Sequence, residues 1–294
     1  LQQPPAVQTP DANTPLEYRF SMERSADTGT LLHNLLEDHD FTSPNGVEHG
    51  EALSADENNP HIMVYQNAAR VCNVEQMNAW LNEVLSTPLP ALNEFIHSTQ
   101  KQAWVSLHQL KKGHVLKEPE FYFPMQSVAH GQLMQVLNLH RKQMAEQRQL
   151  STPLSASVTA ESQLSASALK GMMHGFIDLL FEHDNKYYVA DYKSNHLGNE
   201  PASYNAENMT AAIQSHQYDL QYVIYSWALD RFLQHKLGEN YDRASHFGGV
   251  YYLFLRGMSP NYPIGTGVYA AQLSPEVWQA LDTLLDAAPS QGDA

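Results

Sequence analysis

Twenty residues constrain this chain more than any other stretch: His174-Gly-Phe-Ile-Asp-Leu-Leu-Phe-Glu-His-Asp-Asn-Lys-Tyr-Tyr-Val-Ala-Asp-Tyr-Lys193. Two strand-like runs, 173–181 and 187–193, flank a polar turn. Asp184 and Asn185 tolerate the left-handed backbone that a two-residue hairpin turn needs. With that turn, Asp178 lies six residues before it and Asp191 six after, so the two carboxylates oppose each other on one face. Lys193, two residues beyond Asp191, shares that face. Opposed Cβ atoms sit about 4.5–5.5 Å apart, where like charges destabilise a strand pair. A divalent cation between them is the simplest resolution, and oxygen ligation by few protein groups suits Mg²⁺ or Mn²⁺. Such a cation would activate a water and polarise a phosphoryl oxygen, with Lys193 orienting that water or neutralising charge on the phosphate. The same pattern also fits two solvated charges on an edge hairpin. A longer turn would shift the register, and Asp…Asp-x-Lys alone is too short to decide.

Composition sets the outer bounds. A chain of 294 residues with 43% apolar content fits a folded protein with one large core or two small ones. No stretch approaches the roughly 18 uninterrupted apolar residues of a membrane span. No basic start followed by an apolar run indicates secretion. Beginning at Leu1, the chain reads as a piece of something longer. Cys72 is the only cysteine, which excludes an internal disulfide, a four-cysteine zinc site and an iron–sulfur cluster. It implies a reducing, cytoplasmic setting, with Cys72 itself a small buried apolar residue. The net charge of −15 argues against a free-standing binder with a basic DNA face. Bound cations that reverse the local field, or a larger assembly, would answer that objection. No phosphate-cradling Gly-x-x-x-x-Gly-Lys-Ser/Thr occurs, so nothing points to an ATP-driven motor.

Around the hairpin, 1–15 reads as a Pro-rich linker or arm and 42–60 as a loop. Helices are predicted over 28–38, from Asn73 to Pro88, over 131–148 and 275–287, with one long helical pattern over 207–236. Strands are predicted at 118–124 and 247–255. The Ser- and Ala-rich stretch 151–169 reads as a flexible insertion. Residues 16–294 are expected to form one domain.

Gly175-Phe-Ile-Asp178, followed thirteen residues after the aspartate by Asp191-Tyr-Lys193, resembles the PD-(D/E)XK nuclease superfamily. The longer run is similar to the C-terminal nuclease domains of bacterial RecB-type enzymes. Four further segments carry that resemblance in the family's order: Gly29-Thr-Leu-Leu-His33, Glu118-Pro-Glu120-Phe-Tyr-Phe, Tyr218-Asp-Leu-Gln221-Tyr-Val-Ile-Tyr225 with its Gln-x-x-x-Tyr motif, and His246-Phe-Gly-Gly-Val-Tyr-Tyr-Leu-Phe-Leu-Arg256-Gly. Two departures are a longer stretch before the hairpin and Gly-Phe-Ile-Asp in place of Pro-Asp. Neither removes an expected ligand.

The resemblance implies an α/β fold, a restriction-endonuclease-like mixed sheet flanked by helices. It implies Mg²⁺ held by Asp178, Asp191, His33 and the Tyr192 carbonyl, with Glu120 a further candidate, though Glu118 shares its strand face. Lys193 would be the catalytic lysine, with Gln221 and Tyr225 near the substrate backbone. The reaction implied is hydrolysis of DNA phosphodiesters at single strands and duplex ends, in double-strand-break repair with RecC and RecD subunits and a link to RecA. Two other readings stand beside it: a different nuclease of the superfamily, and a catalytically silent nuclease-like module that docks DNA or partner proteins. The single cysteine disfavours the four-cysteine AddB type.

Overall fold

The structure, a computed structural model, describes residues 17–41, 74–92, 103–128, 130–148 and 169–285. The expected linker at 1–15, the loop at 42–60, Cys72 and residues 151–168 of the expected insertion lie outside the described residues. The helices used below are α1 (Ala26–Asp38), α2 (Val74–Ser86), α3 (His130–Arg148), α4 (Ala206–Ser215), α5 (Tyr218–Leu237) and α6 (Pro275–Leu285). The strands are β1 (Leu89–Pro90), β2 (Ala103–Val105), β3 (Val115–Lys117), β4 (Glu120–Val128), β5 (Leu169–Phe176), β6 (Leu179–His183), β7 (Lys186–Lys193), β8 (Phe247–Phe254) and β9 (Val268–Ala271).

The hairpin forms as the turn chemistry dictates. Asp184 and Asn185 take φ of 51° and 61°, and His183 pairs with Lys186 to close a two-residue turn. β6 and β7 become inner strands of a five-stranded sheet of order β3-β6-β7-β8-β9. Neighbours are antiparallel except β7 and β8, which run parallel. Every residue of β8 is buried, as a strand covered on both faces requires.

Gly248 makes the β7–β8 pairing possible. Phe247 pairs with Tyr187 but Gly249 with Tyr188, so Gly248 is an extra residue in β8. A Cβ there would lie 2.1 Å from the Tyr188 ring, so only glycine fits beneath it. Beyond that bulge the register sets Asp191 beside Tyr252 and Lys193 beside Phe254.

Two layers of core cover the sheet. Tyr188, Ala190 and Tyr192 of β7, with Tyr251 and Leu253 of β8, pack on α1 and α2 through Leu32, Leu35, Met77 and Trp80. Val189 of β7, with Val250, Tyr252 and Phe254 of β8, packs on α3, α5 and α6 through Leu137, Tyr222, Val223 and Leu281. Strand alternation places Asp191 and Lys193 on this second side. Among the described residues no helix is long and apolar enough to cross a membrane.

Two predicted elements are divided in the structure. The run 173–181 is not one strand: β5 pairs with β4 in a separate two-stranded ribbon, and β6 enters the central sheet after a break at Ile177–Asp178. The break is stitched by the Glu118 N–H donating to the Asp178 carbonyl at 3.1 Å and the Ile177 N–H donating to the Pro119 carbonyl at 3.2 Å. Alternation continues through such a change of partner, so the pattern does not reveal it. The pattern over 207–236 is likewise two helices, parted at Gln217 with φ 56°. A left-handed non-glycine residue costs about 1–2 kcal/mol, which packing can offset without a Gly or Pro to mark the place.

Candidate active site

The site lies at the C-terminal end of β7, where helices of both layers approach the sheet edge. Asp191 is 2% exposed. Lys193 forms an ion pair with its Oδ1 and donates to its Oδ2 at 3.1 Å. Asp178 sits in the bend before β6, held by the Tyr192 N–H donating to its Oδ2 at 2.7 Å. From the other layer, α1 presents His33, its Nδ1 3.4 Å from the same Asp178 oxygen and its ring edge-on to Tyr192. Ser25 caps α1, and Gly29 brings the helix close to Ser194, just after Lys193.

The electrostatics are those of crowded carboxylates. Burial, then the charge of Asp178, pushes the Asp191 carboxyl up to about 7 against the opposing pull of Lys193 and His33. Burial pushes His33 down, but its hydrogen bond to Asp178 and the charges of Asp178 and Asp191 outweigh it and leave it raised.

These residues fit a divalent cation. Asp191 is buried, and the Lys193 ammonium pairs with both of its oxygens. A buried carboxylate facing a second carboxylate could also take a divalent cation beside the ammonium that pairs with it. Among the described residues no group of three His, Cys, Asp or Glu side chains is arranged to hold a metal by itself. Asp178, Asp191 and His33 could hold a divalent cation only if backbone or water oxygens completed the set.

On α5, Gln221 and Tyr225 lie one turn apart, and Gln221 Nε2 donates to the Tyr225 hydroxyl at 2.9 Å. Gln221 Oε1 lies 3.4 Å from Lys193 Nζ and accepts from the Tyr252 hydroxyl at 2.9 Å. The Lys193 ammonium also sits 4.0 Å from the Tyr218 ring centroid and 4.9 Å from that of Tyr252. Burial raises the Tyr225 hydroxyl.

Seven residues singled out in the sequence thus meet: His33, Asp178, Asp191, Tyr192, Lys193, Gln221 and Tyr225. Glu120 does not join them. It is exposed, accepts from the Tyr122 hydroxyl at 2.5 Å and pairs with His174 at 2.6 Å on the β4–β5 ribbon. Glu118 contributes only its N–H, to the Asp178 carbonyl. Sequence reasoning missed Tyr218 and Tyr252. Tyr218 precedes Gln221 by three residues, a helical spacing that was available, whereas Tyr252 reaches the site only through the β7–β8 pairing.

Comparison with known proteins places the chain in a family. The chain matches the PD-(D/E)XK nuclease superfamily over residues 12–289. It is 36% identical over 252 residues to RecBCD enzyme subunit RecB of Escherichia coli K12, covering 85% of this chain and 18% of that protein. Against the same subunit of Haemophilus influenzae it is 30% identical over 280 residues, covering 90% of this chain and 20% of the relative. The Mycobacterium tuberculosis H37Rv subunit is 42% identical over 96 residues, covering 32% and 9% respectively. The chain spans about a fifth of the length of the first two relatives.

Proposed function

This chain belongs to the PD-(D/E)XK nuclease superfamily, and from that premise we propose that it is the Mg²⁺-dependent deoxyribonuclease domain of a RecB-type enzyme. The observation that carries the proposal is buried Asp191, which is crowded by the charge of Asp178 and ion-paired with Lys193 beside it.

Asp178, Asp191 and the Tyr192 carbonyl would hold Mg²⁺, or Mn²⁺, with His33 at the edge of the set. When bound, the cation supplies a water of lowered pKa and polarises a phosphoryl oxygen. The rest falls to side chains. Water oxygen bonds to phosphorus as the bond from phosphorus to the leaving nucleoside oxygen breaks, and that oxygen takes up a proton. The Lys193 ammonium stands where it neutralises charge growing on the phosphoryl oxygens. Gln221 and Tyr225 present an amide and a phenol beside it that bind the substrate backbone and fix the phosphate against the lysine. Glu120 lies apart from this set, in its own cluster with His174 and Tyr122.

The relatives are named as subunits of a RecBCD enzyme, which supports RecC and RecD as partners. Broken DNA as the substrate, repair and recombination as the process, and RecA as a further partner belong to the proposal alone. The acidic chain, at −15, fits a domain that receives DNA from such an assembly rather than capturing it by its own surface.

The test is cleavage of end-labelled single-stranded DNA by the purified chain, with Mg²⁺ or with chelator, beside Asp191→Ala. Cleavage that needs both the metal and Asp191 supports the proposal. A folded chain that neither cleaves DNA nor binds Mg²⁺ would favour the silent docking module instead.

A further inference from the structure

Lys193 has a long flexible stem, and its strongest hold is the carboxylate that the proposed function would also give to a cation. Once Asp191 is so shared, other groups must keep the ammonium in place. Three of them surround it: the Tyr218 ring, the Tyr252 ring and Gln221 Oε1. The Gln221 contact, at 3.4 Å, is too long to hold either side chain by itself. What fixes Gln221 is a pair of shorter bonds, one to Tyr225 on its own helix and one from Tyr252 on β8, each 2.9 Å.

We infer that Tyr252 is a positioning residue of this site: its hydroxyl pins the Gln221 amide between α5 and the sheet, and its ring, with that of Tyr218, holds the Lys193 ammonium in the reacting position. The inference rests on the nuclease reading for its kinetic consequence but not for its geometry. Tyr252 is 0% exposed and lies beside Asp191 in the parallel register, so its hydroxyl cannot wander. The charge of Lys193 decides which end of the amide faces it, since the NH₂ end would set donor against donor. Tyr252 decides where the amide sits. Tyr269, its cross-strand neighbour, is equally enclosed but its hydroxyl faces Tyr222 at 3.4 Å, away from Gln221, and serves as a control.

The test compares wild type, Tyr252→Phe, Gln221→Ala, the double variant and Tyr269→Phe. It uses cleavage kinetics on single-stranded DNA with Mg²⁺, together with NMR of the Gln221 side-chain amide in the metal-free protein. Tyr252→Phe keeps the ring and the core volume, so the fold is retained. It should lower kcat about tenfold, the equivalent of one net hydrogen bond, and leave KM unchanged. It should add no further loss to Gln221→Ala, because it acts through that residue. The Gln221 amide resonances should move in Tyr252→Phe and stay in Tyr269→Phe. Unmoved resonances in Tyr252→Phe, or an unchanged kcat, would reduce Tyr252 to core packing. If the wild-type chain neither cleaves DNA nor binds a divalent cation, the nuclease reading fails, and the Gln221 resonances still decide whether Tyr252 positions the amide.

Discussion

Arg256 holds the frame on which the site is mounted, and removing its guanidinium should cost about 3–5 kcal/mol. The side chain is 1% exposed and pairs with no carboxylate among the described residues. Its donors go instead to four backbone carbonyls: Ser194 at 2.9 Å, Arg19 at 2.8 Å, Met22 at 3.0 Å and Glu23 at 2.7 Å. These join the segment leading into α1 to the residue that follows Lys193. Bonds from a charged donor are worth about 1.5–3 kcal/mol each, so the four together exceed about 6 kcal/mol before any offset. Burying a guanidinium without a counter-charge costs several kcal/mol, and Arg256→Met recovers that part. The remainder is the stated loss. It would be read as a lower urea midpoint at constant m-value, with Arg256→Lys intermediate because an ammonium lacks the fork that reaches four acceptors. A loss below about 1 kcal/mol in Arg256→Met would refute the reasoning and show those carbonyls to be satisfied by water.

Three other outcomes are expected. Asp178→Asn keeps an oxygen for the Tyr192 N–H but removes one of two facing charges. It should stabilise the metal-free chain by about 0.5–1 kcal/mol in urea while abolishing Mg²⁺-dependent cleavage. His140 is buried against the Tyr222 hydroxyl, and burial, then the charges of Arg148 and Arg141, brings it down to about 3. A histidine whose folded value is depressed contributes stability above its unfolded pKa of about 6.5. That stability is lost as pH falls from there toward 3, by up to about 1.4 kcal/mol per pH unit. A urea series across that window should show a slope that His140→Gln reduces. Lys117 donates to the carbonyls of Leu36, Glu37 and His39 at the C-terminal end of α1, and burial brings it down to about 8, still charged at neutral pH. Lys117→Met should cost about 1–2 kcal/mol in the same assay, as loss of a cationic cap on the helix that carries His33.

Much of the site was legible from the chain because its chemistry is local. Two left-handed turn residues fix a two-residue hairpin, the hairpin fixes which side chains face each other, and Asp178, Asp191 and Lys193 follow from counting. Helical spacing likewise puts Gln221 beside Tyr225, whereas His33, which reaches Asp178, stood out only through the family resemblance of Gly29-Thr-Leu-Leu-His33. What counting could not supply was any fact about a second element. Alternation runs through Ile177 and Asp178 whether or not the strand changes partner, so the split between β5 and β6 was hidden. Glu120 and Glu118 share a strand face in the sequence, yet Glu120 pairs with Tyr122 and His174 on the β4–β5 ribbon and Glu118 contributes a backbone N–H.

Sequence alone determined which side chains share a face of the hairpin or of a helix, and their order along each, because turn geometry and element period act over a few residues. Tertiary structure alone decided that β8 lies parallel to β7 with Gly248 bulged out, and so that Tyr252 meets Gln221 and Lys193. That choice is made by close packing between strands 54 residues or more apart, where no local rule reaches.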